Sequence, residues 1–143
     1  METLFAVLHV TAAVFIIGPM AILPMTGMRA MRAGNASQVS SLARSTALVG
    51  WLSLIVALLG FALVPFVDPE DKLTYTTPWL LTSIILYSIA VTITLSGVAP
   101  LMKRAGAKIA AGTTVTERGL VSMLSGIASL LLVAVVVLMV WRP

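Results

Sequence analysis

The sequence predicts an all-α fold, a four-helix transmembrane bundle built from two helical hairpins of the same orientation with short loops. Three observations predict it. Hydrophobic residues make up 59% of the chain and charged residues only 10%, against roughly a quarter charged in an ordinary soluble domain. That leaves too little polar surface to coat a globule in water. Four apolar stretches are each long enough to cross a hydrocarbon core, which takes about 20 residues of helix. Asp, Glu, Lys and Arg are absent from all four, where each would cost about 2.5–3.5 kcal/mol at the membrane centre.

The 143 residues, with a mean hydropathy of +1.09, read as one integral membrane domain spanning residues 1–143. The first span is expected at about residues 4–28. It opens Met1-Glu2 with no basic leader, and its apolar run exceeds the roughly 7–15 residues of a signal-peptide core, so it reads as a retained helix. The second span, about 45–67, meets Asp68-Pro69, where proline removes a helical donor and biases its predecessor away from α. The third, about 78–102, begins at Pro78, in a first turn that has no amide bond to lose. The fourth, about 120–141, is entered through Thr116-Glu117-Arg118, with Thr116 read as part of the capping region.

Charge sets the orientation. The loop after the first span carries Arg29, Arg32 and Arg44, and the loop after the third carries Lys103, Arg104, Lys108 and Arg118 with one acid, Glu117. Seven of the nine basic residues therefore fall on one side, which the positive-inside rule makes cytoplasmic. Both termini and the acidic loop, Asp68, Glu70 and Asp71 with Lys72, are then external. Tyr75, Trp79 and Trp141 stand at span ends, where aromatic rings favour the interface. Because the basic residues lie between apolar spans, they read as topology signals; no nucleic-acid partner is expected despite the net charge of +4. Asn35-Ala36-Ser37 matches a glycosylation acceptor, which a cytoplasmic loop would leave unused.

The two halves echo each other. Each crosses inward, meets a proline near the inner end (Pro24, Pro100), and turns in a basic loop with Ala-Gly (Ala33-Gly34, Ala111-Gly112). Either an axis along the membrane normal relates them, or generic loop chemistry has made them alike. Small residues that let helices approach recur as Ser88, Thr92 and Ser96 in the third span and as Ser122, Ser125, Gly126 and Ser129 in the fourth. Gly50, Ser53 and Gly60 do the same in the second. They predict a tight bundle or an interface with a partner helix.

Candidates for chemistry are few. His9 is the sole histidine, and on a helix it shares a face with Ala12, Ala13, Ile16 and Met20. An ionisable residue inside a span is a functional hypothesis by default. It could be an axial ligand of a b-type haem or a metal ligand completed by a second protomer. It could equally be a neutral imidazole hydrogen-bonded to a Ser or Thr of a neighbouring helix. Met25, Met28 and Met31 offer thioethers suited to Cu(I), but Arg29 and Arg32 interleave with them, and adaptable packing accounts for them as well. Pro19 and Pro24 read as structural bends or as parts of a gate. With no cysteine there is no disulfide or thiolate site. The sequence holds no P-loop, GxSxG or zincin motif, so no catalytic residue, no resident metal and no enzymatic activity are expected.

The run Leu4 to Gly18, with its Leu8-His9-Val10 core, resembles the opening of a bacterial family of small, predicted integral membrane proteins of unknown function. More distantly it is similar to the histidine-bearing spans of copper-resistance and haem-associated four-helix proteins. The resemblance implies residence in a bacterial inner membrane and, through its distant branch, a cofactor role for His9. In layout alone the chain is similar to accessory and assembly subunits of respiratory complexes. The expected function is a non-catalytic accessory, assembly or scaffold subunit, with lipids and other membrane subunits or itself as partners and no cofactor. The alternatives are a haem- or metal-binding protein using His9 and an oligomeric small-solute channel or exporter.

Overall fold

The computed structural model describes residues 1–66 and 73–143, apart from the side chain of Glu2. Among these residues the chain forms four helices apolar and long enough to cross a membrane: α1 (Thr3–Arg32), α2 (Ala36–Phe66), α3 (Pro78–Ala110) and α4 (Arg118–Trp141). There is no strand among the described residues. The expected stop at Asp68-Pro69 and the acidic loop lie outside the described residues.

The helices outrun the spans read from hydropathy, most of all at the basic end. Residues 29–32, 36–44 and 103–110 were expected as loop and are helical. Arg, Lys, Ala and Gln are good helix formers, and the loss of apolar character marks the membrane boundary and leaves the helix intact. What ends α1 and α3 is the Ala-Gly pair in each. Gly34 and Gly112 take φ of +67° and +69°, a left-handed conformation that glycine adopts freely. The amide of Asn35 then bonds the Ala30 carbonyl at 3.1 Å and that of Thr113 the Lys108 carbonyl at 2.9 Å, the same Schellman cap twice.

The next helices begin differently. Asn35 caps α2, its side chain accepting the Gln38 amide at 3.1 Å, so this asparagine has a local structural role. Pro78 follows the Thr77 cap of α3, as expected. Thr116 does not cap α4. The cap is Glu117, without a side-chain bond to the helix, and the Thr116 hydroxyl instead accepts from Lys108 Nζ at 3.3 Å. Lys108 also pairs with Glu117 at 2.5 Å. A charge-assisted contact outweighs a neutral cap, so both residues turn to the lysine.

Two π turns sharpen the resemblance between the halves. One covers Ala13–Ile17 and runs up to Gly18-Pro19; the other covers Ile93–Val98 and runs up to Ala99-Pro100. A proline lacks its amide and crowds the carbonyl four residues back. A wider turn with i→i+5 bonding passes that carbonyl to the next available amide. Both halves therefore carry a π turn, a proline, a basic tail and an Ala-Gly cap in that order. The sequence pairs Pro24 with Pro100, whereas the π turns pair Pro19 with Pro100; Pro24 is buried inside its helix.

The packing is uneven along the bundle. α1 lies against α2 throughout, α2 packs on the basic half of α3, the other half of α3 leans on α4, and α4 returns to the basic half of α1. One core cluster sits at the basic end, around Met31, Val39, Val98, Met102 and Val121. A second joins Met20, Ala90, Val91 and Leu132 at mid-depth. Close approach at the basic end depends on Gly106, where a Cβ would stand 2.7 Å from Ser40 Oγ and 3.3 Å from the Ser40 amide nitrogen. The exterior is apolar, with Val10, Val14, Ile22, Leu58, Leu130 and Val136 exposed, as a lipid-facing surface requires.

Candidate functional site

His9 sits in the seam between α1 and α2. Its Nδ1 lies 2.9 Å from the carbonyl oxygen of Val56. A carbonyl only accepts, so Nδ1 carries the proton, and in the neutral ring Nε2 keeps its lone pair. The ring fits there because position 60 is glycine: a Cβ on Gly60 would lie 2.9 Å from His9 Cε1. One turn nearer the N-terminus, Phe5 stacks on Phe66 with centroids 5.3 Å apart and planes within 9°. One turn and more in the other direction, Ala12, Ala13 and Ile16 are half-buried and Met20 is buried. The face expected for His9 does turn inward. Its hydrogen-bond partner, however, is a backbone carbonyl where a Ser or Thr hydroxyl was expected. Ser53, the α2 hydroxyl nearest in sequence to Val56, donates to its own helix at Gly50 and accepts from Tyr87, and His9 takes a carbonyl instead.

A second polar contact crosses helices at mid-depth, from a donor that charge and small-residue spacing do not single out. Tyr87 donates to Ser53 Oγ at 2.8 Å, and Ser53 donates onward to the Gly50 carbonyl at 2.7 Å. The signal was available: a phenol inside a span needs a partner because hydrocarbon supplies none.

The small-residue faces divide. Ser53 and Ser125 are buried and Ser129 is half-buried. Ser88, Thr92 and Ser96 are exposed, as are Ser122 and Gly126. Each exposed hydroxyl of α3 bonds the carbonyl four residues back, at 2.7 Å for Ser88, 2.8 Å for Thr92 and 2.5 Å for Ser96. This self-satisfaction lets a hydroxyl face hydrocarbon at little cost. A Cβ built on Gly126 meets nothing within 4 Å. The bundle's own packing therefore uses Ser53, Ser125 and Ser129 and leaves the α3 row and the Ser122/Gly126 pair on the outside.

The methionines do not converge. Met31 is fully buried in the core while Met25 is 58% exposed, so they share no site. Among the described residues no three His, Cys, Asp or Glu side chains come together.

The seven topology residues gather at one end of the bundle, since hairpin packing brings the end of α1 and the start of α4 together. There Arg118 donates to the Met31 carbonyl at 3.2 Å. Among the described residues Glu117 is the one carboxylate at that end. A hydrogen bond from the Lys108 ammonium, helped by the Glu117 and Thr116 amides, holds its carboxyl below its usual range against a smaller opposing effect of desolvation.

The model of a family described as "Predicted integral membrane protein (DUF2269)" matches residues 3–143, and the chain belongs to that family. No curated protein and no solved structure matches it.

Proposed function

We propose that this family member is a non-catalytic accessory, assembly or scaffold subunit that packs against a larger membrane complex, with respiratory assemblies as the first class to test. The observation that carries this reading is the pair of lipid-facing small-residue surfaces, Ser88-Thr92-Ser96 on α3 and Ser122-Gly126 on α4, all exposed. Small residues let helix backbones approach closely and gain dispersion contacts that lipid does not offer. The bundle's own core is already packed without them. The basic end would face the cytoplasm of a bacterial inner membrane by the positive-inside rule, with both termini outside.

The test is affinity capture of the tagged full chain from its native membrane, beside Thr92→Leu and Gly126→Leu variants. Specific partners should be retained by the parent and lost from both variants while the monomer's melting temperature is unchanged. Partners that survive both substitutions, or none at all, would contradict the reading.

One observation favours a second reading. Donation from Nδ1 to Val56 is the kind of bond that orients ligating histidines and leaves Nε2 free for a metal. Haem or metal bound between two copies through His9 would use that atom. A Soret band in the purified protein that disappears in His9→Ala would support this reading. A colourless preparation, unresponsive to added haem, would remove it. An oligomeric channel has no comparable support.

A further inference from the structure

At the basic end, Met28, Arg32, Arg118, Gly119 and Ser122 line an open cavity of about 240 Å³ between the end of α1 and the start of α4; all but Met28 are exposed. We propose that it binds a phosphate group, presented by an anionic lipid headgroup or by free inorganic phosphate.

Charge argues for an anion. Among the described residues Glu117 is the one acid at this end, and that carboxylate is taken by Lys108. Arg32 has neither an ion pair nor a hydrogen bond among the described residues. Arg118 donates one of its five N–H groups, to Met31, which leaves the remainder of a rigid fork suited to phosphate oxygens. Two guanidinium groups thus line one cavity with no counter-charge.

The helix adds to this. α4 starts at the cavity, its first amides carry no side-chain cap, and Gly119 is part of the lining. Placing Arg118 at the positive end of a helix is unfavourable by itself; an anion between the two would reverse that sign. The lining is also graded, from cationic Arg32 and Arg118 to apolar Met28, which suits a headgroup whose acyl chains continue into the bilayer. Basic pockets between transmembrane helices at this depth hold lipid phosphates in other membrane proteins.

The experiment measures thermal stabilisation of the full chain in neutral detergent at fixed ionic strength. One arm titrates phosphatidylglycerol against phosphatidylcholine; the other titrates inorganic phosphate against chloride. The expected result is saturable stabilisation in one arm, weakened at least about tenfold in Arg32→Gln and Arg118→Gln, as loss of a charge-assisted bond implies. Lys103→Gln/Arg104→Gln, which removes as much charge outside the cavity, should bind as the parent does. Because Arg118 also anchors α1, Gly119→Leu serves as a second probe. A Cβ there meets nothing within 4 Å, so bulk can be added to the lining without disturbing the bundle. Binding confined to phosphatidylglycerol assigns the source to lipid, and equal binding of inorganic phosphate assigns it to the free anion. Stabilisation that falls equally in the Lys103/Arg104 variant, that survives Gly119→Leu, or that never appears would overturn the proposal.

Discussion

His9 of α1 donates its Nδ1 proton to the carbonyl of Val56 on α2 across 2.9 Å, over a glycine that leaves room for the ring. This contact helps hold the least supported part of the bundle, the N-terminal half of α1, which rests mainly on α2. His9→Ala should cost about 1–2 kcal/mol, a membrane hydrogen bond averaging about 0.6 kcal/mol plus lost packing. Gly60→Val should cost about 1–3 kcal/mol by overpacking the ring. The two effects should not add, since they act on one contact. Unfolding in mixed detergent micelles, run as a double-mutant cycle, measures all three.

The Tyr87–Ser53 bond predicts an asymmetry. Tyr87→Phe removes a donor and leaves Ser53 bonded to Gly50, so the loss should stay near about 0.6 kcal/mol. Ser53→Ala leaves the phenol without its acceptor in an apolar setting and should cost about 1–3 kcal/mol. Equal losses in the same unfolding assay would mean that the bond does not bridge the helices.

Glu117 gives a pH dependence. Its carboxyl is held low, first by the Lys108 hydrogen bond, so its folded pKa lies below its unfolded one. The stabilisation is complete above the ordinary glutamate value of about 4.3 and is lost as pH falls through the lowered folded value. Carboxyl NMR titration of Glu117 should show the depressed midpoint, and Lys108→Met should move it up towards the ordinary value.

Two glycines should respond in opposite ways to alanine. Gly106→Ala forces Ser40 to move and should lower stability by about 1–3 kcal/mol. Gly126→Ala adds a methyl in open space and should be neutral or slightly stabilising in the isolated chain, since alanine favours helix. Thermal melts of the two variants decide it.

The four spans were legible because hydrocarbon excludes charge so strongly that its absence marks each one. Their ends were not. Arg29, Arg32, Lys103 and Arg104 lie beyond the apolar runs but stay helical, and the stop depends on Gly34 and Gly112 adopting positive φ, which hydropathy does not encode. The inward face of His9 followed from helical spacing. Its partner did not, because every residue of α2 carries a carbonyl and only the Gly60 gap selects Val56. The row Ser88-Thr92-Ser96 shows the opposite limit. Spacing places the three on one face, but hydroxyls that bond their own helix suit either lipid or a partner, and so spacing leaves the direction of that face open.

The most direct test of the scaffold role is photo-crosslinking in native membranes from a probe placed in turn at Thr92, Gly126 and Val14, the last a 63% exposed position on α1. Docking through α3 and α4 predicts discrete protein adducts from Thr92 and Gly126 and lipid adducts alone from Val14. The same protein adducts from all three positions, none from any, or adducts only at multiples of the chain's own 15.0 kDa would contradict it.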